Sequence, residues 1–254
     1  MTRYKLILEY NGTNLIGFQA NRDGSSVQSL MSDAINKFCG QSVEITGCGR
    51  TDAGVHALAM PVHFDLEESG TAAKSKPDTI KRALNFYLGQ SNAPISVLHC
   101  EKVSNDWHAR FDCVARHYKY VILNRDAQPV LDKDFVWWLP KKLDVKKIKS
   151  AAAELIGKHD FTSFRATECQ AKSPIKTLDT ADVHIDGEYI IIEFSAKSFL
   201  HHQVRNMVGT LAQIGLGKPL NIEKIFDAKL RSSAGQTAPA SGLYFVNADY
   251  AKDA

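Results

Sequence analysis

The sequence predicts an α+β protein built from two split-βαβ halves of the RRM or ferredoxin-like kind, sharing an extended antiparallel sheet around a central cleft. Three observations predict it. Apolar residues recur with a period of two in some stretches and of three to four in others. In the first half these stretches follow the order β-α-β-β-α-β. The second half reads as a longer variation on the same order. A chain of 254 residues is long enough for two domains, each with its own core. The boundary is placed near Ser104, dividing residues 1–104 from residues 105–254.

Tyr4, Leu6, Leu8 and Tyr10 alternate with Arg3, Lys5 and Glu9, as in a half-buried strand, and Asn11-Gly12 closes it. A turn-rich loop runs from Thr13 to Gly24. Val27, Leu30, Met31, Ala34, Ile35 and Phe38 then stripe a helix. Ser25 and Gln28 stand at capping-box spacing before it, and Gly40 suits its C-terminal cap. Val43–Thr46 and Val62–Leu66 read as strands flanking a Gly-rich loop. Pro77 opens a second helix through Ile80, Leu84, Tyr87 and Leu88, closed by Gly89, and Ile95–Val103 is a further strand.

In the second half Arg116–Leu123 alternates as a strand. Ile148, Ala152, Leu155 and Ile156 mark a helix that Gly157 ends. Ala181–Ile185 and Glu188–Ala196 form a hairpin around Asp186-Gly187. Leu200 to Gly217 is strongly periodic, a short helix follows through Ile222, Ile225, Phe226 and Leu230, and Leu243–Val246 closes as a strand.

Composition excludes several classes. Hydrophobic residues are 44% and charged residues 23%, ordinary for a globular chain. No apolar run nears the ~20 residues of a membrane helix, and the first residues lack a signal-peptide core. Five widely spaced cysteines without a CxxC pair indicate neither a disulfide framework nor a zinc knuckle, so a reducing cytoplasm is expected. The net charge of +3 arises after Val103, where 21 basic residues face 18 acidic ones. This is a weak pointer to a polyanionic partner. Lys141, Lys142, Lys146, Lys147 and Lys149 form the obvious patch, read as the solvated face of a helix.

The informative stretch is Gly49-Arg50-Thr51-Asp52-Ala53-Gly54-Val55-His56-Ala57. It lies between two strands, is too rich in small residues to pack a core, and sets one carboxylate beside one guanidinium. A loop held at both ends can aim Asp52 more rigidly than a free one. The plain alternative is an Asx turn to nearby backbone N–H groups, and composition alone does not choose between them. The other candidates are weaker. His201-His202 invites a metal, but neighbours on a helix diverge by about 100°, so RNA backbone contacts or helix packing suit them better. Cys48 reads as a buried small residue. Gly209, Gly215 and Gly217 match no phosphate loop, and no second acid pairs with Asp52 as in a glycosidase.

This nine-residue stretch resembles the active-site motif of the TruA family of tRNA pseudouridine synthases. Five further blocks resemble that family in order. Tyr10-Asn11-Gly12 to Gly17-Phe18-Gln19, with Ser26-Val27-Gln28, matches its opening. His108-Ala109-Arg110-Phe111 with Arg116-His117-Tyr118-Lys119-Tyr120 matches its middle motif. His159 to Arg165, Phe199 to Gly209, and Gly242-Leu243-Tyr244 follow.

The resemblance implies the pseudouridine synthase fold and the isomerisation of uridine to pseudouridine at positions 38, 39 and 40 of the tRNA anticodon stem-loop. It implies a cytoplasmic homodimer, no cofactor and no metal. Asp52 would be the catalytic nucleophile, attacking the nucleotide or stabilising positive charge at the sugar. Burial beneath a base disfavours a carboxylate's charge and a cation restores it; the family's cation corresponds to Arg205. On residues alone Arg205 could be a surface side chain of an amphipathic helix, but its place beside Val204, at the edge of the apolar stripe, supports an inward-facing role. Tyr118 matches the tyrosine that stacks on the target uracil, although a strand aromatic paired with Tyr120 explains it as well. Arg50 matches the arginine that displaces the target nucleotide. Two departures stand out. Ala20-Asn21 replaces a polar pair, which bears on RNA contacts. Gln203 stands where methionine is usual, which bears on packing. A non-catalytic RNA-binding protein and an N-glycosidic hydrolase are the alternatives of other classes.

Overall fold

A computed structural model describes residues 1–20, 25–67 and 74–251. They show the α+β class that the periodicities predict. The chain divides into two compact units, one made of residues 1–114 with the C-terminal segment from Phe245, the other of residues 115–244.

In the first unit β1 (Thr2–Tyr10) lies between β3 (His56–Leu66) and β4 (Ile95–Val103), antiparallel to both, so Leu6 faces Val62 on one side and Cys100 on the other. Tyr4, Leu6 and Leu8 are fully buried on one face, where Tyr4 stacks on Phe64 at 5.6 Å. The helices α1 (Val27–Cys39) and α2 (Pro77–Gln90) supply the matching apolar stripes, Val27, Met31, Ala34 and Ile35 from one and Ile80, Leu84 and Leu88 from the other. Each fully buried side chain of this size stabilises the fold by about 1.5–3 kcal/mol. Where the register of β4 slips beside β1, Asn85 of α2 fills the gap. Its amide accepts from the Val97 N–H (2.7 Å) and donates to the Val97 carbonyl (2.9 Å).

Several local expectations are corrected. The capping box of α1 is Ser26 with Ser29, not Ser25 with Gln28. The Gln28 amide is engaged elsewhere, accepting from Ala20 N–H and donating to Glu44 and to the Ile45 carbonyl. That last bond also explains why β2 is only Thr46–Gly47 and not Val43–Thr46: a side chain meets the Ile45 carbonyl in place of a neighbouring strand. Gly40 does cap α1, in the left-handed region at φ 71°. The cap after α2 is Ser91, with Gly89 inside the helix. Of the Thr13–Gly24 loop, residues 21–24 lie outside the described residues.

In the second unit β5 (Cys113–Leu123), β10 (Tyr189–Ala196) and β9 (Thr180–Asp186) are antiparallel neighbours. A two-residue strand β6 (Trp137–Trp138) adds in parallel to β5, and β7 (Gly157–Asp160) pairs with β8 (Ile175–Leu178) in a separate hairpin. The helix α3 (Val145–Ala153) ends before the expected Gly157 because Leu155 turns in to pack and Gly157 already opens β7. All five lysines of the 141–149 run are exposed, but only Lys146, Lys147 and Lys149 lie on α3, Lys141 and Lys142 preceding it. The helix α4 (Gln203–Gly215) begins three residues later than the periodicity suggests, because His202 takes up a left-handed conformation at φ 61°. α5 (Ile222–Ala228) and β11 (Leu243–Tyr250) complete the chain.

The other face of β1 carries a polar cluster. Arg3 holds Asp65 through two bonds of 2.8 Å and donates to the Trp107 carbonyl at 2.8 Å. His63 is buried beside them, its Nδ1 accepting from the Ala109 N–H at 3.3 Å. Burial, with smaller contributions from Arg3 and His108, lowers the His63 pKa to about 4. The ordinary value of 6.5 applies to the unfolded chain, which therefore takes up a proton first as pH falls. His63 thus withdraws stability as pH falls from about 6.5 to about 4, by roughly 3 kcal/mol at the lower end. Urea unfolding at pH 7 and pH 4 should show a smaller acid loss in His63→Gln than in the parent. An equal loss in both proteins contradicts this assignment.

Candidate active site

The turn between β2 and β3 carries Arg50, Thr51 and Asp52, and its backbone is tied on both sides. The Thr51 carbonyl accepts from the Phe18 N–H (3.0 Å), the Leu15 carbonyl accepts from the Gly54 N–H (3.3 Å), and the Asp52 carbonyl accepts from the Val55 N–H (3.2 Å). The Thr51 hydroxyl, itself buried, meets the Tyr10 hydroxyl at 2.8 Å. His56 anchors the exit, its Nδ1 accepting from the Gly12 N–H at 3.1 Å.

Two glycines make this approach possible. A Cβ on Gly12 would lie 2.1 Å from the Val55 carbonyl oxygen. One on Gly17 would lie 2.8 Å from that of Thr51, and Gly17 also has φ 107°, which L side chains rarely adopt. Asp52 is half-buried at the top of this turn. Arg50 is exposed and donates from Nη1 to Gln19 Oε1 at 2.8 Å. Cys48 is buried, with its thiol 3.5 Å from the Met60 sulfur.

The second unit gathers the other two candidates. Tyr118 is buried on β5 across from Phe194, and its ring meets Phe199 edge-on at 5.1 Å. Tyr120 lies two residues on, on the same face. Burial raises its phenol pKa, and the nearby positive charge of Arg205 offsets part of that rise. Arg205 is half-buried on α4, with Nε donating to the Ala238 carbonyl at 2.8 Å, so it is no freely solvated surface side chain. The second unit therefore brings Arg205 and Tyr118 to one side of β5, and the first unit brings Arg50 and Asp52 onto one turn.

His201 and His202 do not belong to the helix as expected. They form the turn before α4, their ring centroids 4.0 Å apart, so the argument from helical divergence does not apply to them. Gln203 is 1% exposed; its Oε1 accepts from the Leu200 N–H at 2.8 Å, while its Nε2 lacks a partner among the described residues. Ala20 is tied to Gln28, and Asn21 lies outside the described residues.

Residues that the sequence reading did not single out now join the site. The 235–239 segment holds Arg205, and Tyr10 and Gly12, which the sequence marks only as part of a motif, tie the Asp52 turn and its exit. The signal for the 235–239 segment was faint: Asn206 and Thr210 are polar residues on a helix face otherwise filled by Met207, Val208 and Leu211, and both are fully buried.

A family model described as tRNA pseudouridine synthase matches residues 6–112 and 151–251. Curated proteins named tRNA pseudouridine synthase A from Brucella anthropi, Brucella ovis and Brucella abortus are each 44% identical over 253 residues, covering 99% of both chains. No described helix is long and apolar enough to cross a membrane. The chain belongs to the TruA family of tRNA pseudouridine synthases, and is by that membership an isomerase.

Proposed function

We propose that the protein converts uridine to pseudouridine at positions 38, 39 and 40 of the tRNA anticodon stem-loop, with Asp52 as the nucleophile. The observation that carries the reading is the placement of Asp52 on a turn whose backbone is tied to the segment before α1 and whose Thr51 hydroxyl meets Tyr10 at the end of β1. A nucleophile must meet a glycosidic carbon or a base carbon at near-contact distance, and misplacement by about 1 Å costs on the order of a hundredfold in rate. A pinned turn meets that demand and a loose one does not.

In this reading Arg205 keeps the Asp52 carboxylate charged under the base, Tyr118 stacks on the uracil, and Arg50 takes the place of the displaced nucleotide. Residues 1–104 supply the nucleophile and residues 105–254 complete the site. The N1–C1′ bond breaks, the uracil rotates, and C5 bonds to C1′; the C5 hydrogen leaves as a proton and N1 takes one up, so the product is an isomer of uridine. No oxidant or cofactor is consumed. The tRNA is recognised by shape and phosphates, the enzyme acts as a homodimer in the cytoplasm, and sedimentation at the mass of a single chain would contradict the dimer.

Release of tritium from tRNA labelled at uridine C5 tests the chemistry. A binding protein releases none, and a hydrolase liberates free uracil with its label intact. Asp52→Asn should lower release by at least about a thousandfold with tRNA binding nearly unchanged. Near-wild-type release from that variant refutes the nucleophile. Arg205→Ala should slow turnover by about a hundredfold. The expectation for Arg50→Ala is a loss of about tenfold, and an unaffected rate argues against its part in displacing the base.

A further inference from the structure

The segment 235–239 has no regular secondary structure, yet it is fixed to α4 atom by atom. The Ala238 N–H donates to the Arg205 carbonyl at 3.1 Å, and the Ala238 carbonyl accepts from Arg205 Nε at 2.8 Å. The Gly235 N–H donates to Thr210 Oγ1 at 2.9 Å, and that hydroxyl donates to the Asn206 carbonyl at 2.8 Å. A Cβ on Gly209 would lie 1.7 Å from the Gln236 carbonyl oxygen, so the strap rests directly on the helix backbone. At its far end the Pro239 carbonyl accepts from the Tyr120 hydroxyl at 2.8 Å.

Arg231 ties this arrangement together. Its Nη1 donates to the Gly235 carbonyl at 2.8 Å; its Nη2 donates to Asn206 Oδ1 at 2.8 Å and to Thr237 Oγ1 at 3.0 Å. Thr237 in turn donates to Asn206 Oδ1 at 2.7 Å, and Asn206 Nδ2 donates to the Phe164 carbonyl at 2.8 Å. All three acceptors of Arg231 are neutral oxygens, and burial of the guanidinium lowers its pKa. A cation held without a carboxylate here serves through the geometry of its planar fork, which a lysine ammonium lacks.

We infer that Arg231 is a positioning residue for the isomerisation: it fixes the 235–239 strap, and the Ala238 carbonyl on that strap sets the direction in which the terminal nitrogens of Arg205 point. The inference rests on the reading of Arg205 as the cation of the active site. Two hydrogen bonds join Arg205 to Ala238, one through the backbone and one through Nε, so any shift of the strap turns the guanidinium. Arg231 grips the strap at Gly235 and Thr237, on the near side of Ala238, and Asn206 shares that grip from the residue next to Arg205.

The test compares Arg231→Lys, Arg205→Lys and the double variant in the full-length enzyme, by tritium release and by thermal unfolding. Lysine at 205 lacks the Nε–H that reaches Ala238, so in that background the strap has no guanidinium left to aim. Arg231→Lys should lower kcat by about tenfold with KM for tRNA within about twofold, and should add nothing to the loss caused by Arg205→Lys. A folded Arg231→Lys enzyme with the wild-type kcat overturns the inference, as do losses that multiply in the double variant. If Arg231→Lys does not fold, Thr237→Val removes one acceptor of the fork. It should slow kcat by about threefold in the parent and not at all beside Arg205→Lys; equal slowing in both backgrounds overturns the inference. Arg205→Lys at the wild-type rate refutes the role of Arg205 itself, whereas a slow Arg205→Lys beside a fast Arg231→Lys refutes only the link between them.

Discussion

The bond from the Phe18 N–H to the Thr51 carbonyl joins the segment before α1 to the turn that carries Asp52, and the rest of that turn depends on it. It forms only because Gly17 leaves no Cβ between the two backbones. Beside it the Tyr10 and Thr51 hydroxyls meet at the end of β1, a strand held on both edges by neighbours. The position of one carboxylate is thereby referred to the core of the first unit, where Leu6, Leu8 and Met60 are fully buried. A side chain at Gly17 would cut this tie without touching any reacting group.

Arg205 is held by a different device. α4 is buried over most of its surface, so its polar positions need partners inside the protein; Asn206 and Thr210 find them, whereas Gln203 Nε2 lacks one among the described residues. Asn206, Thr210, Arg231 and Thr237 satisfy one another and the strap backbone, leaving Arg205 clamped at Nε. A buried polar network with its partners satisfied favours one arrangement over its near alternatives, which suits the directional role proposed for Arg205. The first unit fixes its functional group through close backbone approach at glycines, and the second through side-chain forks.

Periodicity revealed β1, α1, α2, β4, β9 and β10 because each has one apolar face and one polar face, as Tyr4 to Tyr10 show most plainly. It overran at α4, where burial on nearly all sides makes the stripe continue past the real start and nothing in the pattern announces the left-handed His202. It misjudged the 43–46 stretch because the partner of the Ile45 carbonyl is Gln28, a side chain distant in sequence. The Arg50-Thr51-Asp52 turn was legible as a motif, but the ties from Tyr10, Gly12 and Gly17 were not, since backbone approach leaves only glycines and a tyrosine as its trace. The strap was illegible for a similar reason: Gly235 to Pro239 has no period, and its order comes from Arg231 and Asn206.

Amide hydrogen exchange at Phe18 and Gly54 tests most directly whether the Asp52 turn is a fixed part of the first unit. Both N–H groups point at carbonyls across the turn. The expected result is exchange at Phe18 with an opening free energy close to that of the β1 amides of Leu6 and Leu8, so that the turn opens only when the strand does. Exchange at Phe18 and Gly54 near the rate of an unprotected amide, while Leu6 and Leu8 stay protected, would show a turn that moves independently of its strands. The account of a pre-aimed carboxylate would then be wrong.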